Sequence, residues 1–335
     1  MKSVKKVLLK FFYFFAAFIL FANRELKAEN SITLFIIKPP REISWKSPST
    51  ITWTAFKSRV SSDFHSIGHA MIHLQCDATP TSTPVNEVTG ATDIEHSMDK
   101  DLLFKQGIGM GVFFYDYPGT LNSEKFVWRE VFQASEMYQR LATLKALLNP
   151  LSCQRAAQYL REYKESGVFK HFGLSFTPRK KEGAGCTSFA ASFFDVVGLL
   201  TDEIKKAWTL HVNVQEKLIG RPLINQYIES DDLLFSSEAK HWAYPNEKSR
   251  SLLVYDTQFL YSWIQNIWQK KEKAFPNNYS LDQMNFRKWH KRIFISIRAP
   301  GTPNGWEDVY VSNGVMSLLI DARSAPTPQE NIWIP

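Results

Sequence analysis

The sequence predicts an α+β protein on three observations. Residues 31–38 and 66–76 read as strands near the start. Residues 134–148, residues 151–165 and the segment that follows Cys186 read as helices in the middle. The last third mixes helical segments near 202–218 and 254–271 with strands near 292–298 and 308–320.

Each element has a local reason. SITLFIIK, from Ser31, is rich in β-branched residues and stops at Pro39-Pro40. Ile51 to Val60 reads as a second extended segment. Asp77 to Asn86 is rich in Thr and Pro and reads as a loop. Gly107, Gly109 and Gly111 punctuate an apolar stretch through Phe113 and Phe114, which predicts a turn feeding a strand. Asn149-Pro150 divides the two middle helices, because proline opens a helix well but does not sit inside one. After Cys186, the residues Phe189, Phe193, Val196 or Val197 and Leu200 form one apolar stripe at helical spacing.

The first 28 residues read as an export signal. Lys2, Lys5, Lys6 and Lys10 precede an apolar run from Phe11 to Ala22, and a short polar stretch ends at Ala28. A run of 12 residues falls well short of the roughly 20 that a spanning helix needs. Removing residues 1–28 takes away six of the 40 basic residues but only one of the 33 acids. The remaining chain is close to neutral, which argues against nucleic acid as a partner. The expected location is periplasmic or secreted.

Cys76, Cys153 and Cys186 make an odd number of cysteines. In an oxidising compartment that implies one pair and one free thiol. Three pairings satisfy this. The chemistry around Cys186 favours it as the free one and leaves Cys76–Cys153 as the candidate bridge.

Cys186 follows Gly183-Ala184-Gly185 and opens a helix. Unpaired N–H groups and the positive end of the helix dipole stabilise a thiolate there and predict a lowered pKa. The same N–H groups suit the oxyanion of a tetrahedral intermediate. The competing reading is a small buried hydrophobe, which most free cysteines are. The second segment is HSIGHAMIHLQC, from His65, with histidines at 65, 69 and 73. A helix would stack all three within reach of one zinc ion. A strand would separate neighbours by about 13 Å, too far to share a metal. Alternation of Gly68, Ala70, Ile72, Leu74 and Cys76 against His69, Met71, His73 and Gln75 favours the strand, and the glutamate of an HExxH helix is absent.

Together, the SIGHAMIHL strand, KQGIGMGVFF from Lys105, the helical stretch of 134–165 and GCTSF from Gly185 resemble the circularly permuted branch of the papain-like, NlpC-type cysteine hydrolases. The likeness is closest to a group of bacterial periplasmic domains, and Gly185 stands where that group usually has Asn. The resemblance implies a papain-like antiparallel sheet packed on helices over residues 29–200, with residues 201–335 as an accessory C-terminal α/β region. It implies Cys186 as nucleophile and His69 as base, with a third polar residue orienting the histidine. Glu95 and His96 rank first for that role, then Asp93, while His73 and Gln75 share the face of His69 further along it. The implied activity is that of a cysteine peptidase or amidase, or an acyltransferase, needing no cofactor and acting on a peptide or peptidoglycan-like substrate. The alternatives are a metal-dependent hydrolase using His65, His69 and His73, and a non-catalytic envelope-binding protein whose tryptophan-rich C-terminal region (Trp242, Trp263, Trp268, Trp289, Trp306, Trp333) makes the contact.

Overall fold

The computed structural model describes residues 30–62, 64–78, 83–94, 106–270, 285–289, 292–298, 306–312 and 315–335. The expected export signal lies outside the described residues. The architecture is α+β. Its main sheet has the order β10-β11-β12-β13-β6-β1-β2-β3. These strands are β1 (Ser31–Ile37), β2 (His69–Cys76), β3 (Val85–Thr89), β6 (Leu141–Leu148), β10 (Asn285–Trp289), β11 (Arg292–Arg298), β12 (Trp306–Ser312) and β13 (Val315–Ala322). All neighbours pair antiparallel except β13 and β6, which run parallel. A small sheet joins β4 (Ala91–Asp93), β5 (Tyr117–Leu121) and β7 (His171–Phe172), and a hairpin-like pair joins β8 (Thr209–Gln215) and β9 (Ser249–Tyr255).

Alternation along β1, β2 and β6 separates two apolar layers. Ile32, Leu34 and Ile36, with Ala70, Ile72 and Leu74, face the larger core. That core also holds residues of α3 (Pro150–Glu165) and α4 (Cys186–Val196). Phe35, Ile37, Met71 and Leu141 face a smaller one with Val127 of α2 (Glu124–Phe132) and Ala134. His69 has the parity of Met71, so its side chain starts on the α2 side of the sheet.

Three segments differ from expectation. Residues 51–60 are not extended but belong to helix α1 (Pro48–Ser61). The β-branched run of Ile51, Thr52 and Thr54 suggests a strand, yet Ser47 caps the helix by accepting from the Thr50 N–H, and Pro48 opens it. Thr52 and Thr54 then return their hydroxyls to carbonyls four residues earlier. Residues 134–148 are not one helix. A single π turn at Gln133–Met137 closes α2, and Leu141–Leu148 form β6. LATLKALL has helix-forming residues, but tertiary position overrides propensity: the strand is flanked on both edges by β1 and β13 and covered on both faces. Residues 202–218 split into α5 (Asp202–Trp208), β8 and a short 3-10 turn, with the alternation of TLHVNVQ setting the strand.

Residues beyond 200 contribute β13 to the main sheet. Helix α6 (Thr257–Lys270) packs against β1, β6 and β13. Of the six tryptophans there, Trp263 is buried edge-on to Trp208, and Trp242 stacks on Trp45. Trp333 covers Tyr159 and Tyr163. Trp263 belongs to the core, and Trp242 and Trp333 are partly buried against it. No helix among the described residues is long and apolar enough to cross a membrane.

Cys76 and Cys153 form a disulfide between β2 and α3, with Cα atoms 5.6 Å apart and a sequence separation of 77. Replacing both by alanine is expected to cost about 2–5 kcal/mol, because the bridge removes loop entropy from the unfolded chain. Urea unfolding of the double variant checks this, and a midpoint within error of the parent would contradict it.

Candidate active site

The site is built where β3 leaves β2. Their pairing covers Ile72 to Cys76, and at Gly90 the chain turns off into β4, leaving His69 to Met71 without a strand on that flank among the described residues. The tip of α4 fills the place. The Cys186 thiol takes a hydrogen bond from the backbone of Ala70, the residue after His69. Cys186 is the free cysteine and is partly buried.

The approach to Cys186 explains the glycines before it. Gly183 has φ +105°, and a Cβ there would lie 2.3 Å from the His171 carbonyl oxygen. Only glycine lets the loop pass so close to β7. Ala184 then donates its N–H to His171, and Ser188 Oγ accepts from the Gly185 N–H at 3.0 Å, fixing the first turn.

The thiol differs from the sequence expectation. Burial pushes the Cys186 pKa up, and the Asp93 carboxylate adds to the rise. Hydrogen bonds from the Thr187 side chain and from the Ala70 and Thr187 backbone oppose the rise without reversing it. Desolvation therefore outweighs these hydrogen bonds and holds the thiol above its ordinary pKa.

His69 opens β2 and is 6% exposed. Gly68 before it has φ +84°, and a Cβ there would sit 2.0 Å from Thr257 Oγ1. This tight turn, closed by Gly68 N–H to the His65 carbonyl at 2.9 Å, folds His65 back so that the two imidazoles stack. Their centroids are 4.7 Å apart and their planes 2° from parallel. The Asn122 side-chain amide lies 3.3 Å from His69 Nε2. Asn122 is itself fixed, its N–H to the Gly90 carbonyl and its carbonyl to Thr89 Oγ1. On the other side of His65, Nε2 meets Glu130 Oε2 at 2.6 Å.

Burial alone would raise the Glu130 carboxyl, but the hydrogen bonds and charges of His65 and Arg129 hold it below the ordinary carboxylate range. Arg129 reaches the second oxygen at 3.2 Å.

No protein-family model matches the chain, and comparison with curated proteins and with solved structures found no match.

The expected site residues are placed as follows. Cys186 and His69 lie on elements that meet at Ala70. Asp93 ends β4 near the thiol, and its Oδ2 is buried with no hydrogen-bond partner among the described residues. Glu95 and His96 lie outside the described residues. His73 points to the other end of β2, where it bonds Asn86 Oδ1 at 2.7 Å and meets Trp128 edge-on. The three-histidine metal reading fails on this geometry, because a strand carries His73 away from the stacked pair. Among the described residues no group of three or more His, Cys, Asp or Glu is placed to hold a metal ion.

Asn122 and Glu130 are absent from the sequence expectations. Asn122 precedes the helix-capping Ser123, so it reads as a turn residue. Glu130 carried a signal: with Val127 and Ala134 it falls on the buried stripe, where a carboxylate needs a partner.

Two outcomes test the construction. Gly68→Ala should cost more than about 2 kcal/mol in urea unfolding, since both its φ and the space beside Thr257 exclude a Cβ. Glu130, with its carboxyl depressed in the fold, contributes stability that is complete above about pH 5 and is lost as the pH falls through the carboxylate range. Glu130→Gln should flatten that part of the stability–pH curve, and an unchanged slope would remove the pair from the account.

Proposed function

We propose that the protein is an exported thiol hydrolase of papain-like, permuted NlpC type, which cleaves an amide bond through a thioester on Cys186. The observation that carries the reading is the meeting of the α4 tip with the start of β2: a free thiol held at the backbone of the residue after His69, with His69 held by Asn122. Nucleophile, base and orienting amide would then come from three separate elements, in keeping with a triad defined by roles and geometry rather than by sequence position.

In this mechanism His69 takes the Cys186 proton as the sulfur attacks the carbonyl carbon. The carbonyl oxygen becomes an oxyanion beside the first-turn N–H groups of α4, which have no intrahelical acceptor. Collapse breaks the C–N bond, and His69 returns its proton to the leaving amine. Water, activated by His69, then hydrolyses the thioester and restores the thiol. The raised thiol fits a base-dependent nucleophile that ionises only as it reacts. The buried Asp93 Oδ2 offers an acceptor for a substrate N–H.

A cell-wall-type peptide is the proposed substrate and the periplasm or exterior the proposed location. The Cys76–Cys153 disulfide supports an oxidising compartment. An acyltransferase using the same pair shares every step up to the thioester. The raised thiol also favours a second reading, an inert buried cysteine, and one measurement separates the two.

Iodoacetamide is expected to label Cys186 alone in native protein, and His69→Ala should slow that labelling at pH 7 by about 100-fold. Cys186→Ala should abolish hydrolysis of a peptidoglycan-derived peptide, and Asn122→Ala should reduce it at least about tenfold. A native Cys186 that resists iodoacetamide at every pH up to about 9 would establish the inert reading.

A further inference from the structure

The turn at residues 65–68 lays one imidazole flat against another, and nothing in the chemistry above uses the outer one. His65 is clamped from several directions. Glu130 Oε2 takes its Nε2 at 2.6 Å, and Phe64 meets its ring edge-on with centroids 4.5 Å apart. Phe64 is in turn stacked by Tyr138, and the Arg140 guanidinium lies 5.4 Å from its ring.

The clamp is costly to build. Glu130 is 6% exposed on a stripe otherwise made of Val127 and Ala134, where an apolar residue would bury at no electrostatic cost. Its carboxylate is kept ionised by His65 and Arg129. The Glu130 carboxylate thus faces His65 on one oxygen and the Arg129 guanidinium on the other. Arg140 adds a further cation behind Phe64, while Asn122 at His69 Nε2 is neutral. The Asp93 carboxylate, which raises the thiol pKa, is on β4.

We propose that His65, clamped by Glu130, is a positioning residue that fixes the plane of the His69 ring and opposes a second proton on it. This rests on the dyad reading above. Two parallel imidazoles 4.7 Å apart accommodate one positive charge far more easily than two. His69 is thereby kept as a neutral base. The imidazolium formed when it takes the Cys186 proton is left with a strong tendency to pass that proton to the leaving nitrogen.

The test follows the His69 ring directly, through its nitrogen resonances in full-length protein labelled with ¹⁵N-histidine, alongside iodoacetamide labelling of Cys186. In His65→Phe, which keeps a flat ring but no charge, the protonation midpoint of His69 should rise by about one pH unit. His65→Gln, which is uncharged and keeps a hydrogen-bonding group for Glu130, should move it in the same direction. An unmoved midpoint in a folded His65→Phe overturns the proposal. If circular dichroism shows that variant unfolded, His65→Gln decides by the same criterion. Failure of the dyad reading has a different signature: Cys186 stays unlabelled in the parent protein whatever His69 does.

Discussion

The early departure of β3 from β2 is the constraint on which the candidate site depends. Had the two strands stayed paired past Ile72, the flank at Ala70 would hold another strand and the α4 tip would have nowhere to dock. Gly90 makes the departure, lying so close to Met71 and to the Ala70 carbonyl that a side chain there would meet them. From that corner β4 carries Asp93 towards the thiol, and the returning β5 delivers Asn122 to His69. One bend in one strand therefore sets the positions of four polar groups that lie far apart in sequence.

The electrostatics of this corner is a contest with a clear winner. Cys186 opens a helix, where dipole and N–H groups favour a thiolate. Protein packs densely around the sulfur, and burial raises its pKa more than the hydrogen bonds lower it. On the other side of the histidine the same contest ends the opposite way. Glu130 is deeply buried, yet two cationic partners keep its carboxyl ionised. The difference is partner charge: the sulfur takes hydrogen bonds from the neutral Thr187 and the Ala70 backbone, with the Asp93 carboxylate nearby, whereas Glu130 has a guanidinium and an imidazole.

The sequence reveals those parts of the fold whose signals are local. Asn149-Pro150 announced the start of α3, and Asn149 caps it. Strict alternation from Gly68 to Cys76 marked β2, and the odd cysteine count with the chemistry of Cys186 pointed to the bridge that forms. Signals failed where partners far away in the chain decide. LATLKALL reads as a helix until β1 and β13 are set on either edge of it. ITWTAFKSRV reads as a strand unless Ser47-Pro48 is weighed as a helix start. At the site, Cys186 and His69 are recognisable because their neighbouring glycines carry local backbone demands. Asn122 is not, since its role comes only from the ring it meets 53 residues away.

The placement of β13 bears on how the molecule comes together. Met316 to Ala322 lie alongside Ala142 to Leu148, and the Thr143 and Ser317 hydroxyls join at 2.6 Å across 174 residues of chain. Until that distant segment arrives, β6 presents a bare hydrogen-bonding edge lined with leucine and alanine. Long-range closure of this kind is slow to nucleate, and unpaired edges invite mispairing with other chains. A nascent copy thus remains vulnerable to association until residues 315–322 have been made, and a truncation before β13 would expose the middle of the sheet rather than trim its margin.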